Sequence, residues 1–174
     1  WMPVEKGVIY AKQTLKKVGA QVDFFPVVDI NVANYKKAFL QAFDNGYDAI
    51  AVSGMYAELL PLVNKAASQN IPVITFNSDF EGESKRLAYV GQNAYESGIV
   101  SAEAMIKELG GKGKVVVVTS DFNISSHELR RKGFTDRIAK AKGIKIVKVL
   151  ETFEKEEKKY VMKILATRSK ASKI

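Results

Sequence analysis

Apolar residues follow two alternating patterns along this chain. Short continuous runs, such as Val73-Ile74-Thr75-Phe76, Leu87-Ala88-Tyr89-Val90 and Val115-Val116-Val117-Val118, suit strands buried on both faces of a parallel sheet. Between the runs, apolar positions recur at three- and four-residue spacing, the mark of helices with one buried face. The pattern predicts strands over residues 20–28, 48–52, 72–76, 87–90, 114–119 and 144–150. It predicts helices over residues 3–18, 32–46, 56–69, 94–109, 124–142 and 154–167, with a polar tail over 168–174. The punctuation agrees. Pro3 and Pro61 fall in first helical turns, Asn31 and Asn93 stand at N-cap positions, and Gly19 and Gly143 end helices. Strands alternating with helices imply an α/β fold with parallel sheets and right-handed crossovers. Gly110-Gly111-Lys112-Gly113 reads as a linker. It divides the chain into a first lobe, 1–110, and the start of a second, 111–174. The first lacks a strand before its first helix, and the second holds only two strands. The chain, opening abruptly at Trp1-Met2-Pro3, therefore reads as a fragment or a processed product.

Composition narrows the chemistry. The chain has 174 residues, 47% of them apolar and 26% charged, as in ordinary globular domains. It has no cysteine, which excludes disulfides and thiolate chemistry. His127 is the single histidine, which argues against a His-based metal site or a Ser-His-Asp triad. No apolar run approaches the roughly 20 residues of a membrane span. Charge is uneven. Residues 1–106 carry 9 Lys and Arg against 11 Asp and Glu, whereas residues 107–174 carry 18 against 8. The lysines of the basic part mingle with Glu, as in Glu154-Lys155-Glu156-Glu157-Lys158-Lys159, which is how a solvated helix face looks. No aromatics interleave with them to form a stacking platform. Direct contact with nucleic acid is not expected from this chain.

Polar chemistry gathers where strands end. The runs over 72–76 and 87–90 break into Asn77-Ser78-Asp79 and Gly91-Gln92-Asn93. In an open α/β sheet, the carboxyl ends of strands form the crevice in which ligands bind. Asn77, Asp79 and Gln92 are therefore candidates to hold a polar, mostly uncharged ligand. Asn77 and Asp79 equally suit a turn built by side-chain-to-backbone bonds, and Asn93 suits a helix cap. Asp121-Phe122 follows another strand and suits either a cleft lining or a plain loop. Catalytic signatures are missing. There is no G-x-x-x-x-G-K-[ST] phosphate loop, no G-x-S-x-G elbow and no H-E-x-x-H. No catalytic residue, metal ligand or cofactor is assigned, and the chain reads as a binder rather than an enzyme.

Five stretches together carry a family resemblance. They are Ser53-Gly54-Met55-Tyr56, Ile71-Pro72-Val73-Ile74-Thr75, Tyr89-Val90-Gly91-Gln92-Asn93 with Gly98, Arg130 before Gly133-Phe134, and Trp1 with Phe153. On these the chain resembles the two-lobed type I periplasmic binding proteins, in the ribose-binding branch of sugar-binding proteins and sensors. LacI-type repressors use the same module as an effector domain. The resemblance implies that Trp1 packs on a sugar ring, that Arg130 points into the cleft from the second lobe, and that Phe153 is a further aromatic of that lobe. Arg130 also fits a surface position in Arg130-Arg131-Lys132, and Phe153 fits the core. The chain departs from the ribose binders where they carry an Asp-Arg pair after the IPVIT-like strand. Asn77 and Ser78 stand there, and Gln92 replaces the acid of the following helix entry. Amides donate and accept more weakly than a carboxylate and guanidinium. The departure points away from ribose and leaves open a polyol, a modified sugar or another small polar ligand.

The resemblance implies an extracytoplasmic receptor that takes a sugar or polyol between its lobes and serves an ABC transporter or a membrane sensor. The alternative is the effector domain of a LacI-type regulator, cytoplasmic and dimeric. A small α/β hydrolase or nucleotide-binding protein is the third reading.

Overall fold

A computed structural model describes residues 2–152. Trp1, Phe153, the helix predicted over 154–167 and the tail lie outside the described residues. The chain divides into two compact units, Trp1–Gly46 and Tyr47–Ile174.

The first unit holds two helices. The first, α1 (Met2–Leu15), tightens into a 3-10 turn at Lys16–Val18 and ends at Gly19. There φ is +80°, a left-handed conformation that glycine adopts without steric cost. The second, α2 (Val32–Asp44), is capped by Asn31, whose side chain accepts a 2.9 Å bond from the Asn34 N–H. Its buried residues Tyr35, Phe39 and Ala42 lie on one helical stripe. Residues 20–28, predicted as a strand, form no ladder among the described residues. Val28 is 88% exposed and Phe24 41%. Aromatic and β-branched residues favour a pleated, half-buried surface, but a ladder needs a partner strand, and no described strand pairs with this stretch.

The second unit holds two parallel sheets. The first sheet consists of β1 (Ile50–Val52), β2 (Val73–Phe76) and β3 (Ala88–Val90), with β2 in the middle. A 3-10 turn at Ala57–Leu59 leads into α3 (Leu60–Ser68), whose Pro61 sits in the first turn, where no N–H is missed. Leu59, Val63 and Ala66 are fully buried, as are Val73 and Thr75 of β2, against which α3 packs.

The second sheet pairs β4 (Gly113–Thr119) with β5 (Ile144–Glu151). Before β4 comes α4 (Ala94–Glu108), and between the strands lies α5 (Ser125–Ala139). Ala102, Val115, Ile138 and Ile144 form one buried cluster, flanked by Met105, Ile106, Leu109 and Phe134. Thus α4 joins the core of β4, β5 and α5, although it precedes the Gly110-Gly111-Lys112-Gly113 run. That run is a tight turn, with Gly111 N bonded to Ile106 O and Gly113 N to Gly143 O, both at 3.0 Å. Among the described residues no helix is long and apolar enough to cross a membrane.

Candidate functional site

Register sets the geometry of the first rim. Val52 pairs with Thr75, and Phe76 with Val90. Ser53, Asn77 and Gly91-Gln92 therefore leave three adjacent parallel strands at one edge. Backbone bonds stitch these exits together. Gly54 N donates to Ser78 O at 2.9 Å, and Asn77 N donates to Val90 O at 3.0 Å. Gly54 permits this approach, since a Cβ there would stand 2.9 Å from Ser78 O and 3.0 Å from the Asp79 Cα.

Three consecutive residues after β2 go three ways. Asn77 adopts φ +62°, which asparagine tolerates better than most residues. It is exposed, and its amide bonds to nothing among the described residues. Ser78 is buried, and its hydroxyl donates a 2.7 Å bond to the Ser126 hydroxyl, also buried. The Asp79 carboxylate turns inward. One oxygen accepts from the buried Thr75 hydroxyl at 2.7 Å, and the other from Arg86 Nη2 at 2.6 Å. The second elbow presents an exposed Gln92, while Asn93 caps α4 by accepting a 3.1 Å bond from Glu96 N. The Tyr89 hydroxyl lies 3.0 Å from Asn77 O and 2.9 Å from Gln92 O. Ser53 is 2% exposed, and its hydroxyl is the one buried side-chain polar atom without a partner among the described residues.

The start of α5 meets these exits. Met55 O accepts from Ser125 N at 3.1 Å and from the Ser125 hydroxyl at 3.3 Å. Asp121 builds a turn, its carboxylate accepting from Asn123 N at 2.7 Å. His127 Nδ1 lies 2.7 Å from the Ser120 hydroxyl. Burial, reinforced by the charge of Arg130, holds the His127 pKa below its ordinary value, with Asp121 opposing.

The basic run on α5 sorts itself by partner. Arg131 grips Glu128 with Nε and Nη2 at 2.6–3.0 Å, and Lys132 reaches Asp136 at 2.9 Å. Arg130 is half-buried and makes no ion pair among the described residues. Its charge is felt at Tyr89, whose pKa burial and Asp79 raise and Arg130 lowers. A cavity of about 410 Å³ includes Ser120, His127, Arg130 and the side of β4 in its lining. Close contact sets the position of α5. A Cβ on Gly98 of α4 would collide with Arg130 O, and one on Gly133 with Tyr95 O.

Of the residues singled out by sequence, Asn77, Asp79, Gln92 and Arg130 all act on Tyr89, two through its hydroxyl bonds and two through charge. Trp1 and Phe153 lie outside the described residues. Ser53 and Tyr89 entered the sequence reading only through the family resemblance, and neither they nor Ser126 were candidates for the site. The polar residue at the end of the 48–52 run was the available signal for Ser53, whereas nothing local marks the reach of Tyr89. No group of three or more potential metal ligands occurs among the described residues.

The family of periplasmic binding protein domains matches residues 1–170. A Rhizobium meliloti protein named for rhizopine binding is 31% identical over 108 residues, covering 59% of this chain and 35% of that protein. The structure of GanP, a glucose-galactose binding protein from Geobacillus stearothermophilus, is 31% identical with a TM-score of 0.80, covering 87% of this chain and 53% of GanP. XylFII in a XylFII–LytSN complex is 27% identical with a TM-score of 0.81, covering 97% of this chain and 61% of XylFII. The chain thus spans between about a third and three fifths of these relatives' length.

Proposed function

We propose that this chain, which belongs to the periplasmic binding protein domain family, binds a neutral sugar or polyol at the rim that presents Asn77 and Gln92, with Arg130 contributing from α5. The observation that carries this reading is the set of hydrogen-bonding groups left unused there. Among the described residues the exposed Asn77 and Gln92 amides make no hydrogen bond and Arg130 has no acid. Hydroxyls of a sugar both donate and accept, as do the side chains offered here.

Asp79 enters this reading as support for the rim, since its two oxygens already serve Thr75 and Arg86. The description of GanP as a glucose-galactose binding protein supports a sugar ligand. We place the receptor outside the cytoplasm, feeding an ABC transporter or a membrane sensor. Binding would favour a closed state that the partner reads.

The test is a thermal-shift screen of the full-length protein against sugars, polyols and nucleosides. A ligand that binds only the folded state raises the melting temperature by mass action. A shift confined to one sugar or polyol class, weakened by Asn77→Ala by roughly 1–3 kcal/mol, supports the reading. A shift with nucleosides alone, or with none of the compounds, overturns it.

A further inference from the structure

The two elbows that carry Asn77 and Gln92 meet at one phenol. Tyr89 projects from β3, and its hydroxyl lies within hydrogen-bond distance of two carbonyls, Asn77 O at 3.0 Å and Gln92 O at 2.9 Å. A phenol has a single proton to donate, so it shares that proton between them and its lone pairs stay free. The ring lies against Gly91. A Cβ at that position would collide with the ring and the hydroxyl as they stand, so glycine at 91 lets the elbow Gly91-Gln92-Asn93 lie directly over Tyr89. On the other side, Asn77 holds φ +62°, a conformation that persists where the surroundings over-determine it. Two bonds do so, Asn77 N to Val90 O and Tyr89 to Asn77 O.

We propose that Tyr89 is a positioning residue of the site. Its hydroxyl sets the spacing of the two elbows, so that Asn77 and Gln92 present their amides as a matched pair. The inference rests on the reading that these elbows hold the ligand. Tyr89 does not replace them, and it acts through them. The phenol stays protonated at neutral pH, because burial and Asp79 push its pKa above 10.0 and Arg130 only partly opposes them.

The test uses Tyr89→Phe in the full-length protein, which keeps the ring over Gly91 and deletes only the hydroxyl. The first readout needs no ligand. Hydrogen–deuterium exchange is followed in peptides covering 77–79 and 91–93, with α3 peptides as internal reference. Exchange should quicken in both elbows together and stay unchanged in α3. The second readout is calorimetric titration with D-glucose, D-galactose, D-xylose and myo-inositol. For the tightest of these, Kd should rise roughly three- to tenfold, the worth of one neutral hydrogen bond. Asn77→Ala should then weaken binding less in the Tyr89→Phe background than alone, since coupled residues are not additive. Unchanged exchange in either elbow, an unchanged Kd, or full additivity overturns the proposal. If none of the four compounds binds the wild type, the exchange result alone decides whether Tyr89 couples the elbows, and the functional reading is decided by the thermal-shift screen.

Discussion

Replacing Gly98 with alanine sets two physical effects against each other. Alanine is the better helix former by about 1 kcal/mol, so helix propensity alone makes Gly98→Ala stabilising. The structure argues the reverse. The new methyl would collide with Arg130 O and stand 2.8 Å from Phe134 N and 2.9 Å from the Arg130 carbonyl carbon. All these atoms belong to the α5 backbone, so no change of rotamer relieves them. The helices must separate by something on the order of 1 Å to reach ordinary contact, which loosens Ala102 against Ile138 in the core beyond. Overpacking of this kind costs about 1–3 kcal/mol, and somewhat more where backbone must move. After the propensity gain, the net loss is about 1–2 kcal/mol, or a fall of roughly 3–6 °C in Tm for a chain of this size. Urea titration of the full-length protein measures it, with Gly7→Ala as control. Gly7 lies in α1, where an added methyl would meet nothing within 4 Å, so that substitution should stabilise by up to about 1 kcal/mol. If Gly98→Ala stabilises as Gly7→Ala does, the close crossing of α4 and α5 is wrong. So is the argument that this crossing positions Arg130.

Two further substitutions test the charges near the rim. Asp79→Ala removes the acid of the Arg86 guanidinium and leaves the buried Thr75 hydroxyl only its long 3.5 Å bond to Ala88 O, and should lower unfolding free energy by about 1–3 kcal/mol in urea titration; a change within about 0.5 kcal/mol, the usual effect of a surface substitution, would assign the carboxylate to the ligand instead. His127 has a folded pKa below its ordinary 6.5, from burial and Arg130, with Asp121 and Glu128 opposing. The unfolded state therefore binds the extra proton first, and stability should fall as pH drops from about 7 to 5. His127→Gln should flatten that part of the curve, and an equal slope in the two proteins would show that His127 does not contribute it.

Local signals made much of this fold legible. Asn31 and Asn93 cap the helices they were expected to cap, Gly19 ends the first, and β2 and β4 fall on their apolar runs. Each of these depends on a few neighbouring residues. What sequence did not reveal depends on distant partners. Residues 20–28 have strand composition but no ladder among the described residues. The glycine run after α4 marks where the chain turns, yet the sheet on which α4 packs follows from Ala102 sharing a buried cluster with Val115 of β4 and Ile144 of β5. The site divides the same way. The strand-end rule located Asn77 and Gln92, but composition cannot say that Asp79 faces Arg86, that Ser78 faces Ser126, or that Ser53 meets no partner among the described residues.

Those pairings bear on the class of ligand. Charged side chains near the rim largely cancel one another: Asp79 with Arg86, Glu128 with Arg131, and Asp136 with Lys132. The rim offers a ligand two amides and the guanidinium of Arg130. A neutral sugar meets all three with hydroxyl and ring oxygens, and no net charge changes place. A sugar acid would instead form a charge-assisted pair with Arg130, and partly exposed pairs weaken with ionic strength as the Debye length shrinks from about 10 Å at 0.1 M to about 3 Å at 1 M. For a neutral ligand, Kd measured by calorimetry should therefore change less than about twofold between 0.1 and 1 M sodium chloride, since no ion pair is there to be screened. A tenfold weakening over that range would identify Arg130 as the dominant contact and move the ligand to the sugar acids. It would also refute the account in which hydroxyl-to-amide bonding at Asn77 and Gln92 sets affinity.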